Sequence, residues 1–171
     1  MTDGFAHHLE LDRLRDGERI DLVADEAERA AIAKRLDLAA LDRLEAHVCI
    51  DRTGDVIQAA GRLMASLDQS CVVTGDPVAA HVDEAFTLLF VPEPAGASED
   101  EVELTEKDLE VVFHDGSAID LGGALADTLA LSLDPYPRSA GADAALKEAG
   151  VLTEEQASPF AVLAKLMKDE S

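Results

Sequence analysis

Between Leu44 and Phe90 the chain alternates apolar and polar residues through three runs whose connections are short. Leu44, Ala46, Val48 and Ile50 alternate with Glu45, His47, Cys49 and Asp51. A period of two is the mark of a half-buried strand. Thr53-Gly54-Asp55 supplies a hairpin turn. Ile57, Ala59, Gly61, Leu63, Ala65 and Leu67 then alternate with Gln58, Ala60, Arg62, Met64, Ser66 and Asp68, and the run leads straight to Cys71. After a second turn, Val82, Glu84, Phe86, Leu88 and Phe90 mark a third strand. Parallel neighbours need a crossover of a dozen or more residues, so these three runs predict an antiparallel meander. Such a sheet needs cover on its apolar face, and the expected class is α+β, an antiparallel β-meander with a few helices packed on one side. A length of 171 residues is most simply one domain over 1–171. The 47% apolar fraction with no tryptophan makes its core aliphatic.

The helices announce themselves by their ends. Asp25 and Glu28 have the spacing of a capping box, and Ile32 and Leu36 follow one turn apart. Arg29, Lys34 and Arg35 come after the acidic start, as the helix dipole prefers, and Asp37 ends the segment. Ile20–Val23 reads as an edge strand, and Phe5–Leu11 shows no clear pattern. Leu109, Val111 and Phe113 suggest a further strand, with a turn at 114–117. Ile119-Asp120-Leu121 opens a second helix in which Leu121, Leu125 and Leu129 recur every four residues. That helix stops before Pro135, because proline drives its predecessor out of the α region. Asp134-Pro135-Tyr136-Pro137-Arg138 is then stiff and extended. Residues 92–103 read as a flexible acidic loop, and the Ala-rich stretch from 141 reads as a loosely structured extension. Ser158-Pro159-Phe160 begins a last short helix with proline at its first position.

The net charge is -22, from 36 acids and 14 bases. Nucleic acid binds where Lys and Arg neutralise phosphates, so the mean field of this chain opposes a phosphate backbone and favours basic proteins. The bases do gather early, and Arg29, Arg35 and Arg43 are the candidates for an RNA-facing patch. No aromatic residues interleave with them as a stacking platform requires. No apolar run is long enough to span a membrane, and Met1–Phe5 lacks the pattern of a signal peptide. With only Cys49 and Cys71, the expectation is a reducing compartment, the cytoplasm.

Motifs of catalysis are missing. There is no Gly-x-Ser-x-Gly elbow, and Gly122-Gly123 lacks the spacing of a phosphate loop. The five histidines show no ligand-pair spacing. Ser70-Cys71-Val72-Val73-Thr74-Gly75-Asp76-Pro77 has the form of a zinc knuckle, a Cys-x-x-Cys turn, but Thr74 stands at the second ligand position and a hydroxyl is a poor zinc ligand. The turn chemistry remains: Gly75 takes positive φ, and Asp76-Pro77 favours a bend. No metal and no other cofactor is expected. The acids around Cys71 are expected to raise its thiol pKa. Two prolines present Tyr136 and Arg138, favoured interface residues, at low entropy cost. The partner-binding candidates are therefore Cys71, Thr74, Gly75, Asp76, Pro135, Tyr136, Pro137 and Arg138.

Cys71-Val72-Val73-Thr74-Gly75-Asp76-Pro77-Val78, Phe86–Pro92, Ile119-Asp120-Leu121-Gly122 and Leu131-Ser132-Leu133-Asp134-Pro135-Tyr136-Pro137-Arg138, in that order, resemble the bacterial YceD family. The Glu28-Arg29 helix start and Ser158–Leu166 extend the resemblance over most of the chain. Many members carry Cys-x-x-Cys where this chain has Cys71 and Thr74. The resemblance implies a non-enzymatic cytoplasmic factor for accumulation of 23S ribosomal RNA and large-subunit assembly. Family genes commonly neighbour that of a small basic large-subunit protein. The expected partner is thus a basic ribosomal protein or a large-subunit precursor, with 23S rRNA contacted indirectly. Direct rRNA binding through the early arginines is the alternative, and a carboxylate-based hydrolase ranks last.

Overall fold

The computed structural model describes residues 8–94 and 110–150. In chain order these form β1 (His8–Glu10), β2 (Glu18–Val23), α1 (Glu26–Arg35), β3 (Ala40–Thr53), β4 (Val56–Ser70), β5 (Pro77–Pro92), β6 (Glu110–His114), β7 (Ala118–Asp120), α2 (Leu121–Ser132) and α3 (Ala142–Glu148). The chain divides into two compact units. One is Met1–Gln69 with Ala79–Pro135, and the other is Ser70–Val78 with Tyr136–Ser171.

The first unit contains a five-stranded sheet of order β2-β3-β4-β5-β6. β2 pairs antiparallel with β3, and β3 with β4. The meander and the edge strand read from the sequence are therefore present, and the fold is α+β. β6 departs from the all-antiparallel expectation: it runs parallel to β5, with Leu88 opposite Glu110 and Pro92 opposite His114. Residues 93–109 separate the two strands, which is long enough for the chain to return to the same end of the sheet. A second sheet pairs β1 with β7, and its register sets Leu9 opposite Ile119. Neither strand was legible, because three residues hold too few alternations to show a period.

One face of the larger sheet is aliphatic and closed. Leu44, Ala46, Val48 and Ile50 of β3 share a core with Ile57, Ala59, Leu63 and Leu67 of β4 and with Phe86, Leu88 and Phe90 of β5. Ile32 of α1 and Leu121, Leu125 and Leu129 of α2 belong to the same core, so both helices cover this face. Burying each of the Leu, Ile, Val and Phe side chains contributes about 1.5–3 kcal/mol. The capping box at α1 is complete: the Glu28 N–H donates to Asp25 Oδ1 at 2.8 Å, and the Asp25 N–H donates to Glu28 Oε2 at 2.9 Å. Asp37, just beyond the helix, sits at φ 55. Arg35 of α1 joins Asp127 of α2 at 2.5 Å.

Two expectations near α2 need correction. Ile119 and Asp120 do not start the helix; they end β7, and Asp120 caps α2 by accepting from the Gly123 N–H at 2.8 Å. The stretch from 141, expected to be loose, contains α3, whose Ala142 is buried. Most of the acidic loop expected over 92–103 and all of the helix expected from Ser158 lie outside the described residues.

Two residues fix the sheet's geometry. His114 is buried; its Nδ1 accepts from the Gly116 N–H at 3.1 Å, so Nε2 carries the proton and donates to the Asp55 carbonyl at 2.8 Å. This ties the end of β6 to the β3–β4 turn. Gly61 lies opposite Val48, and a Cβ there would sit 1.8 Å from the His47 carbonyl oxygen. No L side chain fits that approach unless the two backbones part. Gly61→Ala is expected to cost about 1–3 kcal/mol of stability, read as a lower urea midpoint at unchanged slope.

Candidate functional site

Seven of the eight candidate partner-binding residues lie in the second unit, and Pro135 is the last residue of the first. β4 delivers the chain to Cys71, and β5 takes it up at Pro77. The turn between them closes on itself: the Cys71 N–H donates to the Asp76 carbonyl at 2.8 Å, and the Gly75 N–H to the Cys71 carbonyl at 2.9 Å. Gly75 has φ 76, a value open to glycine at little cost. The Asp76 N–H donates to Thr74 Oγ1 at 3.3 Å.

Under this turn lies the Cys71 sulfur. It accepts N–H bonds from Val73 at 3.4 Å, Thr74 at 3.5 Å and Ser139 at 3.3 Å. The third donor comes from a segment far along the chain. The Val72 N–H also donates to the Pro137 carbonyl at 2.9 Å, and Thr74 Oγ1 lies 3.2 Å from Ser139 Oγ. The Cys71–Asp76 turn and the segment of Pro137 and Arg138, picked separately from the sequence, are thus bonded into one surface through Pro137 and the adjoining Ser139. Ser139 then leads into α3 by accepting from the Ala142 N–H at 3.1 Å, and Arg138 pairs with Asp143 at 3.4 Å.

The eight candidates take two different roles. Cys71 is only 4% exposed and Pro137 is buried, so both anchor the surface and neither presents itself to a partner. Thr74, Gly75, Asp76, Pro135, Tyr136 and Arg138 are exposed, with Tyr136 at 74%. Val72, which the sequence reading passed over, is 55% exposed and belongs with them. Ser139 was also missed. No spacing links it to Cys71, and only its place directly after the Pro-Tyr-Pro-Arg segment marks it.

The expected effect of nearby acids on Cys71 is overturned. Its pKa falls to about 6, chiefly because Ser139 hydrogen-bonds the sulfur, with Thr74 adding to the effect and burial opposing it. Backbone N–H groups converging on one atom form a nest that favours an anion, and a thiolate is the better acceptor. Thr74 Oγ1 is occupied by Asp76 and Ser139, and the sulfur already has three donors. Among the described residues no three His, Cys, Asp or Glu side chains are grouped to hold a metal ion. His81 Nδ1 lies 3.2 Å from Ser66 Oγ.

Each of the RNA-facing candidates has a partner within the protein. Arg29 donates to the Ala24 carbonyl at 2.8 Å, Arg35 is paired with Asp127, and Arg43 lies 2.6 Å from Glu45. Each guanidinium is engaged within the protein, two of them on α1 and one on β3.

The profile of the family described as Large ribosomal RNA subunit accumulation protein YceD matches residues 59–167, more than half of the chain. The chain belongs to the YceD family. The YceD match takes in most of β4, the Cys71 turn, α2, the Pro-Tyr-Pro-Arg segment and α3. Neither the comparison with curated proteins nor that with solved structures gave a match. No described helix is long and apolar enough to cross a membrane.

A thiol whose pKa is lowered on folding stabilises the native state fully above its unfolded value, and that contribution fades as pH falls to the folded one. The stability gap between the wild type and Cys71→Ser is therefore expected to widen as pH rises from about 6 to about 8.5. Urea unfolding across that window, with thiolate absorbance followed in parallel, checks it; a gap independent of pH would contradict the thiolate.

Proposed function

We propose that this YceD protein is a non-enzymatic, cytoplasmic assembly factor that supports 23S rRNA accumulation by binding a basic ribosomal protein or a precursor of the large subunit. Family membership gives the role in large-subunit RNA accumulation. The observation that carries the finer reading is the joining of the Cys71 turn to Pro137–Ser139. Exposed Val72 and Tyr136 flank a hydrogen bond between their own segments, so the surface is ordered before any partner arrives. Preorganisation of this kind lowers the entropy cost of binding. Charge supports the choice of partner: a chain at -22 speeds its encounter with cations and slows its encounter with polyanions. The occupied guanidiniums of Arg29, Arg35 and Arg43 favour this reading over direct RNA binding.

The protein, immobilised and exposed to lysate at low salt, is expected to retain a basic ribosomal protein or a large-subunit precursor and to release it at high salt. Tyr136→Ala with Val72→Ser should weaken retention by about tenfold, as loss of one interface anchor does. Equal retention of naked 23S rRNA by filter binding, lost in Arg29→Ala, Arg35→Ala and Arg43→Ala, would replace this reading with the direct one.

A further inference from the structure

β2 ends the larger sheet, and one side of it has no neighbour among the described residues. The pairing fixes which backbone groups point there. The Ala24 N–H donates to the Leu44 carbonyl at 3.0 Å, and the same register sets Leu22 opposite Ala46 and Ile20 opposite Val48. Residues of that parity turn their N–H and C=O groups toward β3, so those of Arg19, Asp21 and Val23 point outward. Among the described residues no backbone hydrogen bond reaches them. An edge of this kind is a template for an added strand.

The side chains along it select what could be added. Asp16, Glu18, Asp21, Asp25 and Glu26 lie on the strand or beside its ends, against Arg19 as the only base from 16 to 26. Val23 is 67% exposed and gives an apolar contact at the far end. Asp21 is held in place by His47 Nδ1 at 2.7 Å. A second copy of the chain would bring another -22 to the same edge and be repelled.

We propose that the open edge of β2 takes an extended, lysine- or arginine-rich segment of a protein partner as a sixth strand of the sheet. The main-chain ladder supplies affinity, and the acids select basic side chains. This rests on the reading of a basic protein partner and adds a second point of attachment to it.

The probe is a synthetic peptide of alternating lysine and valine, with alternating glutamate and valine as its counterpart. Adding the basic peptide should slow amide hydrogen exchange at Arg19, Asp21 and Val23, and the acidic one should not. Asp21→Pro deletes an outward N–H and no ladder bond within the sheet. It should weaken peptide binding by about tenfold while the β3 and β4 amides stay protected. Asp21→Asn keeps the N–H and should weaken binding less. Slowing located elsewhere, equal slowing by both peptides, or slowing that grows with protein concentration in the absence of peptide would overturn the proposal. If Asp21→Pro does not fold, the exchange map of the wild type decides alone. The lysate experiment separates the two readings. A basic protein retained equally by Asp21→Pro refutes the edge alone, whereas no retention by the wild type refutes the partner.

Discussion

The β3–β4 hairpin carries the rest of the first unit, and it depends on how closely its two backbones approach at Gly61. These are long strands, Ala40–Thr53 and Val56–Ser70, paired from Ala40 opposite Asp68 to Thr53 opposite Val56. Their inward residues form the floor on which Ile32, Leu121, Leu125 and Leu129 rest. Parting the strands at Gly61 would disturb that floor on both sides of Val48. The hairpin also holds both ends of the sheet. β2 takes its register from β3, and His114 bonds the β3–β4 turn from β6. A defect in the hairpin would therefore spread to elements that have few other neighbours.

In the second unit a single sulfur organises two distant segments. In a zinc knuckle the ion draws its ligands together by direct coordination. Here one thiol does comparable work by accepting three N–H donors, one of them supplied by Ser139. Such bonds are individually weak, because sulfur is a poor acceptor. The lowered pKa changes this, since an anion strengthens every donor aimed at it. Replacing the second ligand position by Thr74 removes a thiolate and adds a hydroxyl that binds Asp76 and meets Ser139. The turn is closed by its own hydrogen bonds.

The sequence made the sheet's long strands and both principal helices legible because each repeats its pattern often enough to be counted. The alternation from Leu44 to Leu67 and the four-residue recurrence of Leu121, Leu125 and Leu129 both survive in the buried set. Local capping chemistry was legible at Asp25 for the same reason: donor and acceptor lie three residues apart. What could not be read was set by distance along the chain. The parallel direction of β6 depends on the path of a long connection, and the pairing of β1 with β7 on contacts between residues far apart in sequence. The site divides the same way. The turn was visible at Thr74-Gly75-Asp76, but its anchor on Ser139 spans 68 positions, and local charge alone pointed the Cys71 pKa in the wrong direction.

The charge is unevenly shared between the units, and this bears on how a partner would be recognised. The unit holding the sheet has 29 of the acids and 10 of the bases, whereas the other has 7 and 4. Screened electrostatics acts over roughly 8 Å at physiological salt, so it is the first unit that would draw in a basic protein. The second unit, closer to neutral, bears the exposed Val72 and Tyr136, where contact is short-ranged and depends on shape. Under the proposed function, attraction and discrimination would have separate structural bases. Salt would weaken encounter through the acids of the sheet unit, while the order imposed by Cys71 on its turn would persist, because those hydrogen bonds are short-ranged and converge on a buried sulfur.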